Sequence, residues 1–308
     1  MLWGVALLNY MDRQMLSTMK SAMQVDIIEL QSATNFGRLM AVFLWIYGLM
    51  SPISGIIADR MNRKWLIVGS LFVWSVVTSL MGEAETFQQI YWLRALMGVS
   101  EALYIPAGLS LIADYHTGKS RSLAVGIHMT GLYTGQAIGG FGATVAAAFS
   151  WNTTFHWFGI IGIVYALLLM IFLKDKKSSF AETKTESSAS PQEKKSLFKG
   201  LGMLFSNLSF WIILLYFAAP SLPGWATKNW LPTLFADSLN IPMSQAGPIA
   251  TITIAVSSFI GVIAGGILSD KWVQKNIRGR VYTGAIGLGM TIPSLLLLGY
   301  GSGLMSVV

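Results

Sequence analysis

Cysteine is absent from the 308 residues, which excludes disulfides, thiol nucleophiles and thiolate metal sites. Histidine is scarce: His116, His128 and His156 are scattered, with no metal-ligand spacing. Charge is scarce too, at 11% of residues against about a quarter in a soluble domain. No phosphate-cradling loop and no paired catalytic set at a membrane face can be found, so neither an enzyme nor a cofactor is expected. What fills the sequence instead is apolar: 54% of residues are hydrophobic and the mean hydropathy is +0.58. The apolar runs extend for about twenty residues, the length a helix needs to cross a bilayer, rather than the alternating ten or so of a barrel strand. The chain is therefore expected to be an all-α integral membrane protein. Met1 leads straight into such a run, and no cleavable signal peptide is expected.

Nine spans are expected, near 1–20, 36–58, 65–84, 88–113, 121–148, 154–173, 207–236, 244–269 and 281–308. The stretch Lys174 to Lys199 is rich in Lys, Glu, Ser and Thr and cannot bury enough apolar surface to fold in water. The predicted organisation is a six-helix bundle over 1–173, a linker over 174–206 and a three-helix partial bundle over 207–308. If the linker is cytoplasmic, 16 of the 21 Lys and Arg residues lie in loops on its side, a bias that orients the chain. The formal charge of +7 thus marks topology and not a nucleic-acid partner. A long-period repeat also appears. Gly55-Ile-Ile-Ala-Asp59-Arg60, followed by Arg63 and Lys64, recurs as Gly266-Ile-Leu-Ser-Asp270-Lys271, followed by Arg278 and Arg280, with an offset of 211 residues. That spacing indicates two parallel bundle repeats.

Ionisable residues inside spans cost roughly 2.5 to 3.5 kcal/mol each near the bilayer centre, so they are expected to face a protein-lined cavity. Arg94 and Glu101 lie at i and i+7 of the fourth span, on one helix face. Arg94 is the first choice for an anion ligand, because a guanidinium grips a carboxylate with two parallel hydrogen bonds and keeps its charge. Arg13 is the second, with a snorkelling interfacial charge as the alternative. Glu101 is the candidate proton carrier, together with Asp12; the alternative is a static Arg94–Glu101 pair that fixes helix packing. An anion at Arg94 would weaken its pairing with acidic neighbours and favour proton uptake there, which couples the two.

Tyr47, Tyr133, Gln136, Lys228 and Asn229 can supply hydroxyl, amide and amine groups to a polyhydroxy acid, although Tyr near span ends more often anchors an interface. Pro220 and Pro223, ahead of Trp225, Lys228 and Trp230, predict a broken seventh helix. Gly131, Gly135 and Gly139 predict close contact between the bundles, suited to rocking. His128, beside them, is expected to be a packed neutral imidazole. In the loop motif, Gly55 is expected to permit a tight turn, Asp59 to lie against another helix's N-terminus, and Arg60 and Arg63 to set topology and a gate.

The repeated motif resembles the signature loop of the major facilitator superfamily, between the second and third helices of each half. Its second copy is stretched between Asp270 and Arg278. Asn9-Tyr-Met-Asp12-Arg13, the run from Arg94 through Gly98-Val-Ser-Glu101-Ala to Pro106-Ala-Gly, and Asn229-Trp-Leu-Pro-Thr narrow the resemblance to the anion:cation symporter branch. The resemblance implies a two-bundle fold of twelve helices, of which this chain holds about nine and is expected to be C-terminally truncated. It implies proton-coupled symport of a sugar acid such as a hexuronate or aldonate, with basic residues at Arg13 and Arg94 binding the anion and acidic ones at Asp12 and Glu101 coupling protons. Gly55, Asp59, Arg60, Arg63, Gly266 and Asp270 become the gating motif; Asp59's implied partner is on the eleventh helix, and Asp270's at the fifth-helix start near Arg121 and Ser122. A monomer in a bacterial inner membrane is expected, with an organic anion, protons and the lipid bilayer as partners and no metal. The alternatives are an exchanger or a facilitator of another solute, including a spinster-type lysolipid carrier, or an inactive fragment.

Overall fold

The structure, a computed structural model, describes residues 1–116, 120–174, 202–276 and 278–300; the centre of the expected linker lies outside them. The regular structure of the described residues is helical. It runs α1 (Leu2–Thr18), α2 (Lys20–Asp26), a 3-10 turn at Ile28–Gln31, α3 (Ala33–Arg60), α4 (Arg63–Met81), α5 (Phe87–Ala102) and α6 (Tyr104–Tyr115). It continues through α7 (Ser120–Gly139), α8 (Gly142–Ala148) and α9 (Trp151–Phe172) to α10 (Leu208–Leu239), α11 (Met243–Lys275) and α12 (Gly279–Tyr300).

The sequence sets many of these boundaries. Asn62 caps α4 by accepting from the Trp65 backbone, Thr86 and Gln89 form a capping box at α5, and Ser150 caps α9. Leu103 separates α5 from α6 because Pro106 has no N–H to offer the carbonyl of Ala102, the last residue of α5. Asn240, at φ 51°, takes the left-handed conformation that ends α10.

The expected break in the seventh span does not occur: α10 runs unbroken through Pro220, Pro223 and Pro232. With no water in the hydrocarbon to satisfy freed backbone groups, a spanning segment keeps its helix and tolerates the missing donors.

Among the described residues, six segments are long and apolar enough to cross a membrane: α3, α4, α5 with α6, α9, α10 and α11. In α1 the pair Asp12-Arg13, and in α7 the glycines, dilute the apolar content of the other expected spans.

Within the first half, α1 packs on α7, α4 on α9 and α3 on α5, around a core that includes Met15, Phe36, Phe43, Trp74, Tyr104 and Phe155. The α7 glycines serve the α1–α7 pair. A Cβ at Gly131 would meet the Trp3 carbonyl oxygen at 2.7 Å and one at Gly139 the Met11 carbonyl oxygen at 2.6 Å; at Gly135 it would overlap that of Leu7. The stripe therefore fastens two helices of one bundle, against the expectation that it lies between bundles. Small residues give this packing because lipid offers no hydrophobic drive for helices to associate. Contact with the second half is made by α11 against α7 and α8 and by α10 against α1, and Ala143 joins Leu231, Phe235, Met243, Ala246 and Ala250 in a separate apolar cluster.

Candidate functional site

Four ionisable side chains meet inside the first half: Asp12 and Arg13 on α1, and Arg94 and Glu101 on α5. All are buried, with 4%, 6%, 3% and 0% of their surface exposed. A carboxylate and a guanidinium do pair, but not the two on α5. The Arg13 Nε donates to Glu101 Oε2 at 2.6 Å, across the α1–α5 boundary. The static Arg94–Glu101 pair is thus replaced by Arg13–Glu101, because α1 delivers a guanidinium to the carboxylate more directly than a residue two turns away on the same helix. Nor does Arg13 snorkel to an interface: three rings, Tyr10, Phe43 and Tyr47, lie 4.9, 4.8 and 4.8 Å from its guanidinium carbon.

Arg94 has a different environment. Its Nη1 lies 3.0 Å from Met97 Sδ, a weak acceptor, and its guanidinium carbon lies 4.4 Å from the Phe43 ring centre. Its Nε has no hydrogen-bond partner, and no carboxylate lies within 4.0 Å of it, among the described residues. Asp12 accepts from the Thr78 hydroxyl of α4 at 3.3 Å. The four formal charges sum to zero when both acids are ionised, so the cluster is neutral as a unit while each member is expensive alone.

Beside Arg13 is a small cavity lined by Tyr10, Gln14, Gln136, Trp225, Lys228 and Asn229. It joins α1, α7 and α10, and so brings together residues more than 200 positions apart. Gln14 closes one side by donating to the Lys228 backbone oxygen at 3.2 Å. Gln136 is 2% exposed, and its amide nitrogen has no partner among the described residues. Arg13 Nη2 is likewise without one. Arg94 does not line this cavity. Of the expected polar ligands, Tyr47, Gln136, Lys228 and Asn229 gather around Arg13, whereas Tyr133 turns to Phe259 of α11, ring centres 5.5 Å apart. Sequence reasoning missed Phe43, Tyr10 and Thr78; an apolar ring inside an apolar span carries no signal until the helix beside it is known.

His128 is buried on α7, 6.0 Å from the Tyr104 ring, as expected for a packed imidazole. In the loop motif, Gly55 sits inside α3 with nothing within 4 Å of an added Cβ, so it makes no tight turn. Asp59 and Arg60 are exposed at the end of α3, while Arg63 at the start of α4 pairs with Asp114 of α6 and donates to the Ser110 carbonyl at 3.4 Å. Gly266 occupies the corresponding stretch of α11, again with open space around it; the side chains of Asp270, Arg121 and Ser122 lie outside the described residues.

Comparison with known proteins gives this arrangement a context. A sequence model of the Major Facilitator Superfamily matches residues 2–308. The chain is 28% identical over 292 residues to a hexuronate transporter of Bacillus subtilis (strain 168), covering 91% of this chain and 65% of that protein. It is 24% identical over 281 residues to a probable L-galactonate transporter of Escherichia coli (strain K12), covering 89% and 61%. It is also 25% identical over 288 residues to the sphingosine-1-phosphate transporter SPNS2 of Xenopus tropicalis, covering 88% and 54%. The chain therefore spans less than two thirds of the length of these three relatives. Among solved structures, the inward-facing, unoccupied crystal structure of a bacterial homolog to the human lysosomal transporter Spinster aligns with a TM-score of 0.76 at 22% identity, over 99% of this chain and 69% of that one.

Proposed function

The chain belongs to the major facilitator superfamily, a family of membrane transporters and not of enzymes, and from that premise we propose that it carries an organic anion of the sugar-acid class together with protons, by alternating access. The observation that supports this reading is the buried neutral cluster with one guanidinium engaged and another free of carboxylates. A carboxylate entering the cavity meets Arg13 and competes with Glu101 for it. Glu101, losing its counter-charge in a buried position, is neutralised by a proton, and Arg94, outside the cavity lining, supplies the donors for a second grip once the anion has moved inward past Arg13. Asp12, buried and accepting from the Thr78 hydroxyl, is the second proton site. Anion and proton enter as a pair, so the cluster returns to neutrality and the cavity can close. Gln136, Lys228 and Asn229 then face the hydroxyl-bearing body of the substrate. The excess of Lys and Arg in loops on the linker side supports a cytoplasmic linker in a bacterial inner membrane, and a monomer belongs to the same reading.

A second reading is carriage of an anionic amphiphile, favoured by the similarity to SPNS2 and to the Spinster-like fold. The same two arginines would then hold a phosphate head group.

Uptake into proteoliposomes under an imposed pH gradient, with hexuronates, aldonates and a lysophospholipid as competing solutes, separates the two. Sugar-acid uptake is expected to follow the inward proton gradient and to lose that dependence in Glu101→Gln. Uptake indifferent to the gradient, and unchanged by Glu101→Gln, rejects proton coupling. Arg94→Ala is expected to abolish anion binding in calorimetry; retained affinity would confine the site to the Arg13–Lys228 cavity.

A further inference from the structure

Two buried arginines share one ring, and among the described residues only one of them pairs with an acid. Glu101, Arg13 and Asp12 are the charged neighbours of Arg94, so two carboxylates stand within electrostatic reach of a guanidinium that makes no ion pair with either. The Arg94 guanidinium carbon lies 4.4 Å from the Phe43 ring centre and that of Arg13 lies 4.8 Å from it. Phe43 is 1% exposed, and it can stand so close to α5 because Gly98 is there: a Cβ at Gly98 would meet the Phe43 carbonyl oxygen at 3.0 Å and Ile46 at 3.3 Å.

The chemistry of a guanidinium makes this placement consequential. Its N–H bonds all point outward in the plane of the group, whereas an aromatic ring attracts the cation through its face. A ring therefore steadies the charge without using a single donor, while a carboxylate steadies it by consuming two. We propose that Phe43 is a positioning residue that holds Arg94 by its face, keeps it off Asp12 and Glu101, and so leaves its donors, apart from the Nη1 that meets Met97 Sδ, open for the carboxylate of the transported anion. Because Arg13 rests on the same ring, Phe43 also fixes which guanidinium takes Glu101. The part concerning the transported anion rests on the proposed function; the part concerning the two arginines does not.

The test is built to separate them. Purified protein with 15N,13C-labelled arginine is compared with Phe43→Leu and with protein carrying a trifluorinated phenylalanine at position 43, which keeps the ring's shape and withdraws charge from its face. In the unliganded protein, the Arg13 Nε–H resonance is expected at the downfield position of a carboxylate-bound guanidinium and that of Arg94 away from it. In Phe43→Leu the Arg94 line is expected to move towards the Arg13 position, and in the fluorinated protein to move part of the way. An Arg94 line unmoved in both proteins overturns the positioning role, whatever the substrate. The fluorinated variant guards against misfolding of Phe43→Leu, and a packing-only role for Phe43 predicts lower thermal stability with no movement of that line.

Galacturonate calorimetry supplies the second arm. Affinity is expected to fall about tenfold in Phe43→Leu and less in the fluorinated protein. If the arginine lines move as expected but galacturonate affinity stays unchanged, Arg94 is positioned by Phe43 and is not the anion ligand, so the fault lies with that assignment.

Discussion

Glu101 has no exposed surface, and Arg13 is its ion-pair partner among the described residues. Removing one partner of a buried pair leaves an uncompensated charge, a loss of roughly 3 to 5 kcal/mol, whereas removing both with similar volume is often close to neutral. Arg13→Met is accordingly expected to lower the thermal unfolding temperature strongly at neutral pH. Combining it with Glu101→Gln should recover most of that loss, which a double-mutant melting series reads directly; equal losses in the single and double variants would show that Arg13 matters through packing on Tyr10, Phe43 and Tyr47 instead. The four charged members of this site were legible in the sequence, since an ionisable residue in an apolar span advertises its cost. Their partnerships were not. The i, i+7 spacing of Arg94 and Glu101 described one helix, and the pairing depends on how far α1 is rotated against α5, which no local pattern carries. For the same reason Phe43, an ordinary apolar residue in α3, was invisible as a member of the site.

Among helices, the α1–α7 seam is set by glycine. At Gly135 an added Cβ would overlap the backbone carbonyl of Leu7, a contact that no side-chain rotation can relieve, while at Gly126 there is nothing within 4 Å. Gly135→Ala is expected to destabilise the protein by about 1 to 3 kcal/mol, the usual cost of overpacking. Gly126→Ala on the same helix should be neutral or stabilise it by about 0.5 to 1 kcal/mol, as for other helix-interior glycines. Detergent-solubilised melting curves of the two variants check the contrast, and a similar loss in both would mean that α7 is sensitive to alanine for reasons unrelated to α1. The four-residue glycine spacing was readable as a close-packing face, but not which helix it would meet, and the expectation of a seam between bundles gave way to one inside a bundle. Helix breaks followed a parallel course. Pro106 coincides with a break because Leu103 leaves helical hydrogen bonding there, whereas Pro220, Pro223 and Pro232 leave α10 continuous; proline removes a donor in every case, and the surrounding lipid and helices decide whether the chain bends.

Across the whole molecule, the 211-residue repeat made two halves evident from the sequence, because each copy ends the second helix of its half. How the halves touch required the structure. Their hydrogen bonds among the described residues are Gln14 to the Lys228 carbonyl at 3.2 Å, Thr251 to the Ala137 carbonyl at 3.2 Å and Thr144 to the Ser244 carbonyl at 2.7 Å. Thr144, in the first turn of the short α8, and Ser244, at the start of α11, lie on the side of the molecule remote from the linker. Lys20, on the same side, sits 5.1 Å from both the Phe36 and Trp230 ring centres and so spans α2, α3 and α10. The halves are thus held together at one end, and the proposed alternating access requires that end to part once in each cycle. Because the chain has no cysteine, a pair introduced as Thr144→Cys and Ser244→Cys reports on this contact without background. The doubly substituted protein is expected to cross-link readily with a short bifunctional thiol reagent, and the cross-linked form to take up solute at least tenfold more slowly in proteoliposomes. A reagent with a cleavable spacer should allow the rate to return when the spacer is cut. Undiminished uptake in the fully cross-linked protein would mean that the Thr144–Ser244 contact does not open during transport, and the moving interface would then have to be sought elsewhere along α7 and α11.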